Sequence, residues 1–136
     1  MAGPEQDLPH QRDPADSSLG SKISDAVVRL TRDYTGRGPT RARTIINQNV
    51  VVTMLQDSLT RGERRLVESG RGQRVLELRR EYQAAMRDDL VTTIQELTDC
   101  RVEAMLSSNH LDPDLASEIF VLDRPPEIGI DRQHAV

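Results

Sequence analysis

Apolar residues in this chain recur with two different periods, and the changes of period mark out the elements. Ile23, Val27, Leu30 and Tyr34 form one stripe of a helical repeat, with Arg29, Arg32 and Asp33 on the other face. Ser21 and Ser24 can each cap the start of that helix. Gly36 stands where a left-handed residue would close it, and Pro39 stops its continuation. The spacing predicts a helix from Ser21 or Lys22 to about Tyr34. Residues 42–56 then turn β-branched, with Val50, Val51, Val52 and Thr53 stiff at χ1 and suited to a pleated surface. Asn47-Gln48-Asn49 divides this stretch, and Asn tolerates left-handed turns. The pattern predicts a hairpin with strands 42–46 and 50–56, a single long strand being the alternative. Thr60-Arg61-Gly62-Glu63 has the form of a capping box, which predicts a short helix to about Ser69. Gly70-Arg71-Gly72 breaks it.

Val75, Leu78, Tyr82, Met86, Leu90, Ile94 and Leu97 then recur every three or four residues and predict a long helix over 73–98. Arg101–Ser107 alternates, with Val102, Ala104 and Leu106 on one face and Arg101, Glu103, Met105 and Ser107 on the other. Asn109–Pro113 reads as a turn. Ser117–Leu122 reads as a last strand, with Ile119 and Val121 facing opposite to Phe120 and Leu122. The order α-β-β-α-α-β-β predicts an α+β domain, a four-stranded antiparallel sheet covered by helices, and not a doubly wound nucleotide-binding sheet. Residues 1–21 and 124–136 are polar and proline-containing and read as disordered arms, leaving 22–123 as a single domain.

Composition narrows the function classes. The longest uninterrupted apolar run is Ile119-Phe120-Val121-Leu122, far short of the roughly 20 residues a spanning helix needs, so no membrane insertion is expected. The acidic, proline-rich start has no apolar signal core, and a cytoplasmic location is the resulting expectation. Cys100 is the lone cysteine, so one chain holds no disulfide framework and no multi-cysteine zinc site. The net charge is −4, and Lys22 is the single lysine. Residues 21–44 and 61–80 are net basic, whereas 1–20, 81–99 and 101–136 are net acidic. Self-pairing of these segments is the simpler reading, and an anionic partner is the other. The aromatics are Tyr34, Tyr82 and Phe120, all at core-like positions, which argues against single-stranded nucleic-acid binding.

Candidate chemistry is sparse. The turn Gly36-Arg37-Gly38-Pro39, with Arg41 beyond it, could present amides and a guanidinium to a phosphate or other small anion. It lacks the spacing of a phosphate-binding loop, and a structural helix-to-strand turn is the favoured reading. Asn109, His110, Asp112 and Asp114 form a second loop of interest, but one turn rarely supplies a full metal-ligand set, so no metal and no cofactor are expected. No nucleophile–histidine–acid set is readable, and a non-enzymatic role is favoured. The long amphipathic helix is long enough to overhang a small sheet. An overhang would be covered most simply by a second copy, so a homo-oligomer is expected.

Three stretches together resemble the MpsC-like family. They are Tyr34-Thr35-Gly36-Arg37-Gly38-Pro39; Leu59-Thr60 with Glu63 and Leu66 leading to Gly70; and Ser108-Asn109-His110-Leu111-Asp112-Pro113-Asp114 with Phe120-Val121-Leu122. The resemblance implies association with a sodium-linked, membrane-potential-generating system connected to inorganic-carbon uptake. The chain would then be a soluble accessory or regulatory component of such a transport system. The resemblance carries over no catalytic residues.

Overall fold

The computed structural model describes residues 17–128. The expectations for residues 1–16 and 129–136 lie outside the described residues. Helix α1 (Ser17–Thr35) begins about one turn before the expected start. The extra turn brings Leu19 against the core, beside the predicted stripe of Ile23, Val27, Leu30 and Tyr34. The helix ends at Gly36, whose φ of +85° and N–H to the Arg32 carbonyl (2.9 Å) make it the expected left-handed closure.

Strands β1 (Arg41–Asn47) and β2 (Val50–Gln56) form the expected hairpin. The left-handed residue in its two-residue loop is Gln48 (φ +58°), not either asparagine. Asn49 instead ties the loop to the far strand, its amide donating to the Leu122 carbonyl at 2.9 Å. Helix α2 (Arg61–Glu68) starts in the predicted capping box, with Thr60 and Glu63 bonded reciprocally. Helix α3 (Gly72–Thr98) is 27 residues long, roughly 40 Å. Strands β3 (Val102–His110) and β4 (Leu115–Leu122) close the fold. The sheet order is β1-β2-β4-β3, antiparallel throughout. The α+β class and element order are those predicted.

Two predicted details change. β3 runs to His110, so Asn109 and His110 are strand residues and the turn begins at Leu111. A bulge between Val102 and Ala104 also resets the alternation of β3. An extra residue in one strand moves every later side chain to the opposite face. Val102 therefore packs toward the core, Met105 is buried, and Leu106, expected to share a face with Val102, is 55% exposed.

The helices cover one face of the sheet. Val51, Leu55, Met105, Phe120 and Leu122 project from that face against Ile23, Val27, Met86, Leu90 and Ile94. The α3 stripe is therefore used within the domain. No helix among the described residues lies over the other face. There the pairing aligns Ile45, Val52, Ile119 and Leu106 in one row across all four strands. Asn47, Val50, Val121 and Ala104 flank it on one side, and Arg43, Met54, Ser117 and Ser108 on the other.

A Cβ added at Gly36 would meet nothing within 4 Å, so the cost of filling that position is purely conformational. Gly36→Ala should destabilise the domain by about 1 kcal/mol, the left-handed penalty. Urea unfolding measures it, and an unchanged midpoint would mean the turn relaxes to another closure. Gly38 does not need a left-handed backbone, but its position faces the Val28 and Arg32 side chains at 3.4–3.5 Å.

Candidate functional site

The loop between β2 and α2, residues 57–60, collects most of the polar contacts at one end of the sheet. Asp57 leaves β2 with φ +60°. Its backbone N–H donates to the Asp114 carbonyl (3.1 Å), and Leu59 N–H donates to Asp114 Oδ2 (3.1 Å), which fastens the loop to the β3–β4 turn. The Arg37 guanidinium reaches across from the glycine turn, 2.9 Å from Asp57 Oδ2 and 3.2 Å from the Asp57 carbonyl. Arg64, one turn into α2, pairs with the other Asp57 oxygen and lies 3.7 Å from Asp114 Oδ2. Partial desolvation raises the Asp57 carboxyl's proton affinity. Hydrogen bonds from Arg64 and Thr40, with the charges of Arg37 and Arg64, outweigh that and hold it below the ordinary carboxylate range.

Beneath the loop the polar groups are buried. Arg79 of α3 is 4% exposed and donates to Ser58 Oγ (3.0 Å) and to Glu63 Oε1 (3.2 Å), itself 3% exposed. Beside them a polar row crosses the helix-facing side of the sheet, aligning Thr44, Thr53, Glu118 and Ser107. Ser24 of α1 bonds Thr44 (2.7 Å), and Thr44 bonds Thr53 (2.9 Å). Ser107 donates to Glu118, and Gln83 Nε2 donates to it at 3.2 Å. Gln83 is also paired reciprocally with Asn109, at 2.9 and 3.2 Å. Burial pushes the Glu118 carboxyl up to about 7, against the lowering effects of the Ser107 and Gln83 hydrogen bonds and the Arg79 charge.

The predicted site residues therefore divide. Gly36 and Gly38 shape the turn, and Arg37 is paired with Asp57, although its Nε is buried without an acceptor. Arg41 opens β1 opposite Gln56, on the uncovered face. Asn109 joins Gln83 in the buried network, and Asp114 joins the ionic cluster. His110 is exposed, its Nδ1 2.8 Å from the Pro113 carbonyl, and Asp112 is exposed before the cis peptide to Pro113. These four loop residues do not converge, and no group of three His, Cys, Asp or Glu among the described residues is placed to hold a metal ion. Asp57, Arg64, Arg79 and Glu118 were not anticipated. For two of them a signal existed. Arg79 and Gln83 continue the apolar stripe of α3 from Val75, and Glu118 alternates with Phe120 and Leu122 on the core side of β4.

A carboxyl that titrates at about 7 when folded, against 4.5 ordinarily, binds its proton more tightly in the folded chain. Its stabilising contribution is complete below pH 4.5 and is lost as the pH rises to about 7. The whole swing is on the order of 3 kcal/mol. Asp57 acts in the opposite sense and only at lower pH, since its carboxyl is held below 3.8. Glu118→Gln can place its amide oxygen toward Gln83 and its NH2 toward the Ser107 hydroxyl. The variant should flatten stability between pH 5 and 8 and exceed the parent at pH 8, as read by urea unfolding across that range. A parallel fall in both proteins would place the titration on another group.

The comparisons agree with the resemblance carried by the glycine turn, the capped helix and the β3–β4 turn. No helix among the described residues is long and apolar enough to cross a membrane. No curated protein and no solved structure matches the chain. The family described as the Na+-translocating membrane potential-generating system (MpsC) matches over residues 15–124, nearly the entire described region, and the chain belongs to that family.

Proposed function

We propose that this chain is a soluble, non-enzymatic accessory or regulatory domain of a Na+-linked, membrane-potential-generating system, acting from the cytoplasmic side and connected to inorganic-carbon uptake. The family match over residues 15–124 carries this reading. The polar chemistry supports it, because the conspicuous side chains are occupied with one another: Arg37 with Asp57, Arg64 with Asp57 and Asp114, and Arg79 with Glu63. Such pairs fasten a fold. Self-association, if this domain uses it, would need a surface other than the α3 stripe, whose Val75, Met86, Leu90 and Ile94 are already buried in the monomer.

Small-anion or phosphate binding at the Gly36–Pro39 turn is the second reading, favoured by the buried Arg37 Nε without an acceptor. An anion there would have to compete with the Asp57 carboxylate, 2.9 Å from the same guanidinium.

One strain and one variant separate the two. A strain lacking the chain should lose the Na+-dependent part of its membrane potential, followed with a potential-sensitive dye, and its bicarbonate uptake should fall with it. Both should return with the parent chain and with Arg37→Ala. The Arg37–Asp57 pair is half-exposed, so Arg37→Ala should cost about 0–1 kcal/mol. Its melting should also be indifferent to phosphate, bicarbonate and nucleotide, like that of the parent. Stabilisation of the parent alone by one of these anions would favour the anion site. An unchanged potential in the deletion strain would remove the accessory reading.

A further inference from the structure

A small cavity lies inside the domain between α1, α3 and the strands β2 and β4. It leaves about 10 Å³ open to a water-sized sphere, close to the roughly 10–15 Å³ that one water needs. Thr31 of α1, Arg79 and Gln83 of α3 and Glu118 of β4 line it, with Met86 and Ala116 among the apolar wall. All four polar side chains are buried, Thr31 to 2% exposure. Among the described residues, Thr31 Oγ1 has no hydrogen-bond partner. A buried hydroxyl left unpaired forfeits its hydration for nothing, so native interiors give such groups a partner, from protein or from ordered water. The Thr35 hydroxyl, one turn on, shows the contrast: it reaches the Thr31 carbonyl at 2.8 Å and accepts from the Arg37 amide at 3.2 Å. The structure assigns one internal water to this cavity, hydrogen-bonded to Thr31 Oγ1 on the α1 side and to the buried polar groups of α3 and β4 on the other. The inference stands on the cavity alone and does not rest on the membrane-system reading.

Size, polarity and charge select water over other occupants. The space is that of a single small molecule, and an apolar one would leave Thr31 as unpaired as before. A cation would share the cavity with the Arg79 guanidinium, a like charge at short range in a low-dielectric interior. Water meets donors and acceptors alike, and the lining has capacity to spare. The Gln83 amide directs its NH2 to Asn109 and Glu118, while its oxygen accepts one bond from Asn109 and has a second lone pair. The Glu118 carboxyl accepts from Ser107 and Gln83, and a carboxylate has about four acceptor sites. An internal water typically makes two to four hydrogen bonds, a number that Thr31 and this cluster supply together. Such a water links the C-terminal half of α1 to α3 and to β4. Its attachment point is one turn before Thr35, whose hydroxyl holds the Arg37 amide, so the water belongs to what fixes the glycine turn.

The test uses the full chain, Thr31→Val, which keeps the shape and removes the hydroxyl, and Thr31→Ser, which keeps the hydroxyl. In the parent, NMR should show cross-relaxation between water and the methyl groups of Thr31 and Met86, both in the lining. Oxygen-17 relaxation dispersion counts the long-lived internal waters. Thr31→Val should lose one of them and the water contact at Met86, and it should melt no higher than the parent. Thr31→Ser should retain both, which separates loss of the water from loss of packing. Absence of the water contacts in the parent would overturn the inference, whether or not either variant folds. So would an unchanged count of long-lived waters in Thr31→Val. A Thr31→Val variant that melts above the parent would show the hydroxyl to be unpaired and overturn it too. Stabilisation of the parent, but not of Thr31→Val, by sodium chloride over choline chloride at equal concentration would assign the cavity to a cation and overturn the inference as well.

Discussion

Arg79 projects from the N-terminal third of the long helix into a space where bulk water cannot follow it, and the contacts it finds there fix the end of the sheet. Its guanidinium reaches Glu63 at the start of α2 and both oxygens of Ser58 in the loop before it. Glu63 offers the same Oε1 to the Thr60 amide at 2.7 Å, so the helix cap and the ion pair share one atom. Neither charge can be left alone. Removing one member of such a buried pair costs about 3–5 kcal/mol, because the survivor stays desolvated without a partner. The pair therefore forces α3, α2 and loop 57–60 into one arrangement. That arrangement places Asp57 where Arg37 and Arg64 meet it, and the Leu59 amide where Asp114 accepts it. The glycine turn and the β3–β4 turn, far apart in sequence, are positioned by a contact in which neither takes part.

The polar row across the sheet extends this constraint into the core. Thr44, Thr53, Glu118 and Ser107 lie on the side that packs against the helices, where apolar side chains would pack with less specificity and less cost. Hydroxyls at these positions accept only partners that arrive in register. A one-residue slip of β2 against β1 would turn Thr53 away from Thr44, and one of β3 against β4 would turn Ser107 away from Glu118. Glu118 is the least comfortable member. It lies within reach of Arg79's field but receives hydrogen bonds only from Ser107 and Gln83, and burial raises its proton affinity accordingly. Register is secured here in part by a carboxyl whose burial favours its protonated form.

Periodicity and capping made most of the fold legible. The α1 stripe, the hairpin, the Thr60–Glu63 box and the long helix each carry their own local signal, and each formed where that signal lay. The misses have specific causes. The β3 bulge turns on one extra residue at Glu103, which no alternation pattern announces, and it moved Leu106 to the open face. The N-terminal turn of α1 is decided by Leu19 finding the core, a tertiary effect that a capping serine at position 21 does not foresee. The candidate site was legible in its parts and not in its assembly. Arg37 and Asp114 were both marked by their turns, but nothing in the spacing says that Asp57 and Arg64 stand between them. Long-range ion pairs are set by the packing of elements, and their partners leave no local trace.

The stretches through which the family is recognisable lie mostly away from the sheet face that no described helix covers. Tyr34–Pro39, the capped helix at Thr60 and the Asn109–Asp114 segment all converge on loop 57–60, and their polar groups are largely occupied within the domain. Of the residues that carry the resemblance, Ser108, His110 and Val121 stand on the uncovered sheet face. A motif that fastens a fold has the same residue types as one that binds a ligand: glycines at a turn, an arginine, a carboxylate, a capping threonine. The distinction is whether the charged groups already have each other. Arg37, Arg64 and Arg79 do, so the signature identifies how the end of this sheet is held together. The apolar row from Ile45 to Leu106 has no helix over it among the described residues and takes no part in that fastening.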